Sequence, residues 1–323
     1  MRAVVMHGFG SPDVLELEDV EKPTPGDDEV LIRVRATTVT AGDCELRRLD
    51  LPLSFRGPIW VYVTLLKRNR LVPGQEVAGV VESVGSDVTC FSPGGAVFAA
   101  TAFRFGGAAE YVVLPESYPV ARVPAGMAIE EAATLPTGGL NAMHFLRSAN
   151  VGEGDAVLVN GAGGSIGTYA VQIATARGAE VTAVDGGEKL DTLSALGAVE
   201  VVDYRRTDFT ERGERYDVVL DVVGTSPFSR TLACLRPGGR YVLGNPTVLS
   251  RIRGAWTNLT GDRTVVSSLA GYAPEDVAAL VDLVETGAVR AVVDRRYPLA
   301  EIAEAHRYVE SGRKIGNVVV DVA

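Results

Sequence analysis

Cysteine is scarce in this sequence and is not arranged for bridging or metal binding. The 323 residues include only Cys44, Cys90 and Cys234, and no two of them have Cys-x-x-Cys spacing. This argues against a disulfide framework and against a cysteine-rich zinc site. It is typical of proteins from a reducing compartment. A chain of this length corresponds to about two domains at roughly 150 residues each. Such a chain buries enough apolar surface to fold without disulfides or structural metal ions.

Positive charge is also in short supply. The 31 lysines and arginines are outnumbered by 41 acidic residues, so the formal net charge is −10. An acidic protein repels phosphate backbones, which disfavours a primary nucleic-acid function. The composition, 46% hydrophobic and 22% charged, is that of an ordinary globular protein. The bases include only four lysines, at Lys22, Lys67, Lys189 and Lys314.

The sequence lacks a hydrophobic run that reads as a membrane helix. The segment from Ala156 to Ala176 is uncharged and long enough to span a bilayer. Its cluster of glycines breaks a continuous helix and predicts a strand, a turn and a helix instead. Met1 leads straight into the strand-like segment Arg2–Met6, so we expect no signal peptide and predict a cytoplasmic protein without membrane insertion.

Two regions with different patterns of predicted secondary structure follow one another along the chain. Residues 1–124 carry short apolar stretches bounded by Gly, Pro and Asp, which is typical of a β-barrel or sandwich. Short strands then alternate with helices, as in the βαβ units of a parallel sheet covered on both faces. The tail returns to strand character. We therefore predict one domain from residues 1–124 and 272–323, and a second from residues 125–271.

The strongest local signal is a glycine loop between a predicted strand and a predicted helix. It runs Asn160-Gly-Ala-Gly-Gly-Ser-Ile-Gly167, with Gly-x-x-Gly-x-x-Gly spacing. The first glycine permits a turn, the second lets the backbone approach a pyrophosphate, and the third lets the helix pack closely. Backbone N–H groups and the helix N-terminus then face the anion. The residues predicted to contact a dinucleotide here are Gly161, Gly163, Gly164, Ser165 and Ile166.

Two residues after this loop give opposing indications about the dinucleotide. Asp185 ends the next predicted strand, close to the ~20-residue spacing expected for an acid that binds a ribose 2′-hydroxyl, which favours NAD. Lys189 follows four residues later, and a cation there favours the 2′-phosphate of NADP. The alternative is that Asp185 only ends a strand and Lys189 is a solvated helix residue.

At this point the chain resembles the medium-chain dehydrogenase/reductase superfamily, and within it the zinc-independent branch of quinone oxidoreductases and enone or enoyl reductases. The resemblance covers essentially the whole chain in order. It implies a GroES-like β domain plus a Rossmann domain with a doubly wound parallel sheet. The segments that carry it include Lys22-Pro-Thr-Pro-Gly26, Thr37-Thr-Val-Thr-Ala-Gly-Asp43, Pro73-Gly-Gln-Glu-Val-Ala-Gly-Val80, Glu131-Ala-Ala-Thr-Leu-Pro-Thr137, Asp203-Tyr-Arg205 and Leu235-Arg-Pro-Gly-Gly239.

The same resemblance sets this chain apart from the zinc-dependent alcohol dehydrogenases. Those enzymes carry a Gly-His-Glu motif where this chain reads Gly74-Gln-Glu76, and a zinc-binding cysteine where it has Thr40. Their four-cysteine structural lobe is missing, and Cys44 cannot replace the lost ligands. The chain's histidines, at positions 7, 144 and 306, show no ligand spacing. We therefore predict no metal.

By resemblance, Lys189 and Tyr204 match positions that contact the 2′-phosphate and adenosine end of NADPH. This favours NADPH over NAD, with Asp185 as the opposing observation. The resemblance also implies a homodimer formed through the edge of the Rossmann sheet. The remaining residues that it places at the cofactor are Thr137, Val222, Val223, Gly224, Gly244, Asn245, Ser268, Leu269 and Asn317.

Without zinc, other groups must stabilise the oxyanion that forms when a hydride reaches a quinone or an enone. Thr40 and Gln75, at the positions of the lost ligands, are the candidates, with Asp43 orienting their loop. Tyr62 is a candidate proton donor. The alternative is that these are structural loop residues. The segment 51–71 looks like an apolar lid suited to a bulky apolar substrate, or else packs into a core or a dimer contact.

These observations predict an NAD(P)H-dependent reductase of a quinone, enone or enoyl substrate. Two other functions stay open. The first is a redox-neutral biosynthetic enzyme, such as a cyclase or isomerase, on the same scaffold. The second is a non-enzymatic nucleotide-binding protein, because a fold alone does not determine a reaction.

Overall fold

The computed structural model describes residues 1–268 and 270–322. The predicted cofactor contact Leu269 therefore lies outside the described residues. The chain forms two compact units, one from Met1–Thr137 together with Val293–Ala323 and the other from Gly138–Val292.

The strands and helices are numbered along the chain. The strands are β1 (Arg2–Met6), β2 (Leu15–Asp19), β3 (Glu29–Val39), β4 (Glu76–Val84), β5 (Ala96–Ala100), β6 (Tyr111–Pro115), β7 (Val120–Arg122), β8 (Ala156–Asn160), β9 (Glu180–Asp185), β10 (Glu200–Asp203), β11 (Tyr216–Asp221), β12 (Leu235–Leu243), β13 (Thr264–Val266), β14 (Val293–Pro298) and β15 (Asn317–Asp321). The α-helices are α1 (Ala41–Arg48), α2 (Leu53–Val61), α3 (Ile129–Ala132), α4 (Asn141–Ser148), α5 (Ser165–Ala176), α6 (Leu190–Ala195), α7 (Phe228–Ala233), α8 (Val248–Thr260), α9 (Pro274–Glu285) and α10 (Ile302–Glu310).

The first unit is built on a mostly antiparallel sheet. Its order is β14-β15-β3-β4-β5-β7, with β6 also paired to β3, and β1 and β2 form a separate hairpin. The last strand, β15, pairs antiparallel with β3, with Val318 opposite Val39. The tail therefore belongs to the same sheet as the strands from the start of the chain. The core is filled by fully buried side chains such as Ile32, Val77 and Leu114.

The second unit is a parallel sheet with the order β10-β9-β8-β11-β12-β13. The order runs outward in both directions from β8, as in a doubly wound dinucleotide-binding fold. The uncharged segment from Ala156 to Ala176 is a strand, a turn and a helix, as predicted. The chain can turn there because Gly161 adopts φ +83°, in the region that favours glycine.

Along the sequence, the boundaries between the two units fall at 137/138 and 292/293. The predicted boundaries were 124/125 and 271/272. Residues up to Thr137 stay with the first unit, where the Thr137 N–H donates to buried Glu76 over 2.6 Å. Helix α9 stays with the second unit. There Arg147 makes two hydrogen bonds to buried Asp276, and a Cβ on Gly139 would lie 2.5 Å from Leu280.

Across residues 1–268 and 270–322, none of the helices combines the length and the apolar character needed to cross a membrane.

Candidate functional site

The glycine loop joins β8 to α5 by a tight turn in which a side chain would clash at Gly161, Gly163 or Gly167. Gly161 donates its N–H to Val184 and accepts from the Gly164 N–H, over 3.0 and 3.1 Å. A Cβ on Gly167 would lie 2.2 Å from the Gly161 carbonyl oxygen, which no real side chain tolerates. The first turn of α5 therefore lies directly against the turn after β8, in the arrangement the spacing predicts.

The N-terminus of α5 has the geometry of an anion site. Its N-cap is Gly164, which offers no capping side chain, and a Cβ there would meet only the Gly161 carbonyl oxygen, at 3.4 Å. The first-turn N–H groups of Ile166 and Gly167 have no acceptor within the helix by geometry. The positive end of the helix dipole adds to their attraction for an anion. These residues fit a dinucleotide pyrophosphate.

Asp185 ties the glycine loop to the end of β9. Its Oδ2 accepts from the Gly163 N–H over 2.8 Å, and its Oδ1 accepts from the Gly186 N–H over 2.8 Å. The same Oδ1 lies 2.9 Å from the ammonium of Lys189. Both side chains are buried. The two residues that gave opposing indications about the cofactor are therefore partners in one ion pair beside the loop.

Lys189 covers Gly163 with its aliphatic stem. A Cβ on Gly163 would lie 2.5 Å from Lys189 Cδ and 3.0 Å from Asp185 Oδ2, so glycine is required there for packing. Lys189 is thus a buried residue and not the solvated helix residue that was its alternative. Burying its charge is tolerable because Asp185 pairs it.

Tyr204 follows β10 and presents an exposed ring near Asp185. Its N–H donates to the Asp185 carbonyl oxygen over 3.2 Å. The guanidinium of Arg205 lies 5.6 Å from the centre of the Tyr204 ring and makes two hydrogen bonds to Glu188, of 2.8 and 2.9 Å. Arg205 was not among the predicted contacts.

The turns after β11 and β12 lie against the glycine loop. A Cβ on Gly161 would meet Val223 Cγ2 at 2.7 Å, and one on Gly244 would lie 3.0 Å from the Val222 Cα. The Gly224 N–H donates to the buried carboxylate of Asp221 over 3.0 Å, and a Cβ on Gly224 would lie 3.0 Å from the Asn245 carbonyl oxygen. The structure thus brings Val222, Val223, Gly224, Gly244 and Asn245 together at the carboxyl ends of the strands.

Two further predicted cofactor contacts, Ser268 and Asn317, have no described contact with the glycine loop. Ser268 Oγ lies 3.2 Å from His144 Nε2, so His144 is a hydrogen-bonded residue of α4. Asn317 begins β15 in the first unit and is buried there, opposite Val293.

In the first unit, Thr40, Asp43 and Gln75 form one hydrogen-bonded cluster. Thr40 caps α1: its side-chain oxygen accepts from the Asp43 N–H, and its own N–H and hydroxyl donate to Asp43 Oδ2 over 2.9 and 2.6 Å. Gln75 Nε2 donates to the other carboxylate oxygen over 3.3 Å. Burial raises the pKa of Asp43, and the hydrogen bonds from Thr40 and Gln75 act against that rise. Asp43 therefore orients both predicted oxyanion donors.

Glu76, next to Gln75, is a fully buried carboxyl group that the sequence analysis did not single out. One oxygen accepts from the Thr38 hydroxyl and the other from the Thr137 N–H, while the Glu76 carbonyl oxygen accepts from the Thr37 hydroxyl over 2.6 Å. Burial raises the pKa of Glu76 to about 7, and the charge of Asp43 adds to the rise. Thr137 is thus held through its backbone by Glu76.

Tyr62 lies at a cavity of about 430 Å³ within the first unit. Its ring is 6.3 Å from that of Phe105, and the Lys67 ammonium lies 5.5 Å from its centre. Phe103 and Tyr111 also line the cavity. The structure therefore gives Tyr62 a mostly aromatic environment, separate in its contacts from the Thr40–Asp43–Gln75 cluster.

Two family descriptions match this chain. Residues 26–125 match the alcohol dehydrogenase GroES-like domain, and residues 196–320 match the description "zinc-binding dehydrogenase". The first match lies in the unit with the antiparallel sheet, and the second covers most of the strands of the parallel sheet.

Known proteins resemble the chain over its whole length. A chloroplastic quinone-oxidoreductase homolog from Spinacia oleracea is 31% identical over 99% of this chain and 98% of its own. The NADPH-dependent alkenal/one oxidoreductase of Arabidopsis thaliana chloroplasts is 31% identical over 99% of this chain and 79% of its own. The solved quinone oxidoreductase from Coxiella burnetii superposes with a TM-score of 0.89, at 28% identity, covering 100% of this chain and 99% of that one.

The residues present do not fit a catalytic zinc at Thr40 and Gln75. Zinc takes thiolate, imidazole or carboxylate ligands, whereas these two side chains are a hydroxyl and an amide that both donate to Asp43. Cys44 lies in the core with its Sγ 3.4 Å from His306 Nδ1, and burial raises the pKa of its thiol to about 12. Within the described part of the chain, ligand atoms converge only at His7, Glu16 and Glu18 beside the β1–β2 hairpin, where Glu18 also binds Arg70.

The fold and the comparisons agree. The predicted pairing of a GroES-like β domain with a Rossmann doubly wound parallel sheet is confirmed, and so is the predicted resemblance to oxidoreductases. With 31% identity to relatives across nearly all of its length, the chain belongs to the medium-chain dehydrogenase/reductase superfamily, in its quinone oxidoreductase branch.

Proposed function

We propose that this chain is an oxidoreductase that transfers a hydride from NADPH to a quinone or to an α,β-unsaturated carbonyl compound, without zinc. The observation that carries the proposal is the uncapped N-terminus of α5 behind the Gly161 turn. The names of the relatives, quinone oxidoreductase and alkenal/one oxidoreductase, support the two substrate classes.

The pyrophosphate of the dinucleotide is bound by the backbone of the loop. Gly163, Gly164, Ser165 and Ile166 present their backbone there, and no side chain on Gly164 stands in the way. Val222, Val223, Gly224, Gly244 and Asn245 line the cofactor from the turns after β11 and β12. Thr137, Ser268, Leu269 and Asn317 complete this set of proposed contacts.

The choice of NADPH over NADH depends on Lys189 and its neighbours. A 2′-phosphate beside Lys189 gains a charge-assisted hydrogen bond, and Tyr204 offers its exposed ring to the adenine. Asp185 opposes this choice, because its carboxylate both pairs Lys189 and repels a phosphate. NADH is therefore the second cofactor to test.

A bound nicotinamide supplies the hydride. The chain's own contribution is to stabilise negative charge on the carbonyl oxygen of the acceptor. Gln75 keeps one amide N–H for this, since the other is directed to Asp43, and preorganised donors of this kind are the main means of lowering such barriers. Thr40 donates its hydroxyl proton to Asp43. In this arrangement Thr40 fixes the loop, and it can donate to the acceptor's oxygen only after giving up its hydrogen bond to Asp43. Tyr62 is the proposed proton donor.

The first experiment is a fluorescence titration of the metal-free protein with NADPH and NADH in parallel, followed by NADPH consumption with a panel of quinones and enones. Tight, NADPH-selective binding with turnover supports the proposal. A preference for NADH keeps the reductase and assigns discrimination to Asp185. Binding without consumption on any acceptor overturns the reductase in favour of a redox-neutral enzyme, and no binding of either cofactor overturns the nucleotide site itself.

We also propose a cytoplasmic homodimer that needs neither nucleic acid nor membrane insertion. The free thiols of Cys44, Cys90 and Cys234 suit a reducing compartment, and the net charge of −10 disfavours binding to phosphate backbones.

A further inference from the structure

The connection between α1 and β4 carries apolar side chains on the outside of the first unit. It includes helix α2 and a π-helical turn that continues it, in which the Lys67 N–H donates to the Tyr62 carbonyl oxygen over 2.9 Å. Four large apolar side chains of this connection are exposed, from 42% for Val61 to 71% for Leu66. We call residues 51–75 the α2 segment; its exposed apolar side chains are Trp60, Val61, Leu65 and Leu66.

The inner face of the α2 segment is apolar as well. Ile59 and Val63, one turn apart, are buried in the core of the first unit. The helix therefore cannot bury its outer side chains by rotating, because its inner ones would become exposed in exchange. Single exposed leucines are ordinary on a protein surface. Four large apolar side chains within residues 60–66 instead mark a surface that meets an apolar partner.

The charge of the α2 segment is of one sign. It contains four basic residues and no acidic one, in a chain in which 41 acidic residues outnumber 31 basic ones. All four are exposed. Arg70 pairs with Glu18 over 2.5 Å, whereas no ion pair holds Arg56, Lys67 or Arg68 within the residues that the structure describes. Lys67 and Arg68 directly follow Leu66, so unpaired positive charge adjoins the exposed apolar side chains.

We propose that the α2 segment docks this protein onto the surface of an anionic phospholipid bilayer. The exposed apolar side chains enter the boundary between headgroups and acyl chains, while Arg56, Lys67 and Arg68 contact the lipid phosphates. Trp60 suits this depth, because its ring is apolar and its indole N–H still reaches polar groups. The stems of lysine and arginine lie along apolar surface while their charged ends stay among the headgroups.

Charge distinguishes a bilayer from other apolar partners. A second copy docking through the same surface about a two-fold axis would bring the unpaired cations of both copies together. A neutral apolar partner would leave these cations without a counter-charge. An anionic bilayer supplies an apolar phase and negative charge at once. The net charge of −10 opposes its approach to the rest of the protein, which favours one docking orientation.

The α2 segment is suited to lie on a bilayer and not to cross it. Helix α2 and the turn contain 9 and 5 residues, fewer than the ~20 of a spanning helix. Ile59 and Val63 also keep the inner face in the protein core. Surface docking agrees with the cytoplasmic location proposed above. It would bring the proposed reductase next to acceptors dissolved in the membrane, and only this consequence rests on the proposed function.

Flotation of the full chain with lipid vesicles, without cofactor or acceptor, tests the docking. We expect binding to vesicles made of equal parts of phosphatidylglycerol and phosphatidylcholine. High salt should remove most of this binding, and vesicles of phosphatidylcholine alone should bind far more weakly. A wild type that does not float with the anionic vesicles, or that binds the neutral ones equally well, would overturn the proposal.

Two double variants separate the apolar from the charged contribution. Leu65→Ser with Leu66→Ser should weaken binding to the anionic vesicles about 100-fold, at about tenfold per leucine removed from the lipid. Lys67→Gln with Arg68→Gln should weaken it about 25-fold, at about 5-fold per charge. All four side chains are exposed, so thermal stability should stay at the wild-type value. Vesicle binding that survives both double variants would contradict the docking.

Leu17→Ser is the matched control. Leu17 is an exposed leucine of the same unit, but it lies on β2 between Glu16 and Glu18, which repel an anionic surface. Its change should leave vesicle binding at the wild-type level. If the wild type ignores vesicles and Leu65→Ser with Leu66→Ser breaks a dimer, the segment is a contact between copies and the proposal is wrong. NADPH titration of the wild type tests the cofactor site separately, so failure of one proposal is distinguishable from failure of the other.

Discussion

Asp185 and Lys189 pair with each other, 2.9 Å apart, beside the glycine loop. The carboxylate also fixes the Gly163 and Gly186 N–H groups. A 2′-phosphate that reaches Lys189 therefore competes with a carboxylate already there. We therefore expect the cofactor preference to depend on the balance of that competition and not on either residue alone.

Asp185→Asn should raise the preference for NADPH over NADH about tenfold, which corresponds to ~1.4 kcal/mol. The amide oxygen can still accept from the Gly163 N–H, whereas the Gly186 N–H loses its acceptor. Lys189 loses its counter-charge and becomes available to a phosphate. Parallel fluorescence titrations with both cofactors measure the ratio. An unchanged ratio would show that the 2′-phosphate does not bind near this pair.

Lys189→Ala should weaken NADPH far more than NADH. It should also lower the free energy of unfolding by about 3 kcal/mol, because it leaves buried Asp185 without its counter-charge. The double variant Asp185→Asn with Lys189→Ala is the control: stability should return while the preference for NADPH stays lost. Equal losses for the two cofactors in the single variant would instead assign discrimination to Asp185.

Gly164→Asp should abolish dinucleotide binding without harming the fold. The position has an ordinary φ of −83° and open space around it, and aspartate is a favourable N-cap, so thermal stability should hold or rise. The carboxylate would occupy the place of the pyrophosphate and repel it. Gly164→Asn has the same shape without the charge, and it should bind NADPH at least about tenfold more tightly than the aspartate variant. Near-normal binding of NADPH by Gly164→Asp would show that the glycine loop does not bind the pyrophosphate.

Glu76 should make the chain less stable as the pH rises. Its pKa is about 7 in the folded protein, against an ordinary value near 4.3. The folded state therefore holds a proton that the unfolded state releases between these values. Stability is full below pH ~4.3, falls through the interval up to pH 7, and has lost about 4 kcal/mol above it.

Glu76→Gln should remove this part of the pH dependence. The amide can accept from the Thr137 N–H, and the Thr38 hydroxyl can turn to accept from it. Urea unfolding at a series of pH values measures the effect, with Glu21→Gln, at an exposed loop carboxylate, as the control. If the free energy of unfolding changes with pH in the same way for the wild type and Glu76→Gln between pH 4 and 8, Glu76 does not hold the proton assigned to it.

The parts of the site that could be predicted are those set by local geometry. The turn at Gly161 and the close approach at Gly167 follow from residue type and spacing, because a side chain at either point would strain or clash. The Asp185–Lys189 pair could not be predicted from spacing, because it depends on how residues 186–188 turn after β9. Glu76 was missed because its partners, Thr38 and Thr137, are far from it in sequence.

The outward apolar face of helix α8, where Ile252 and Trp256 are exposed, was missed for a different reason. Its apolar positions have helical spacing, yet sequence analysis assumes that an apolar face turns inward. Here the face that turns inward carries Gly254 and Asn258. A pattern can establish that a helix is amphipathic, but the surface that its apolar side meets is decided by the rest of the fold.

The pairing of β15 with β3 has a consequence for synthesis on the ribosome. The first unit lacks β14 and β15 until residues 293–321 have left the exit tunnel, although most of it is made earlier. The parallel sheet, in contrast, has all of its strands once residue 292 is free. The order of completion is therefore the reverse of the order of translation: the middle of the chain can fold while its N-terminal part, with apolar strand edges still open, waits for the tail.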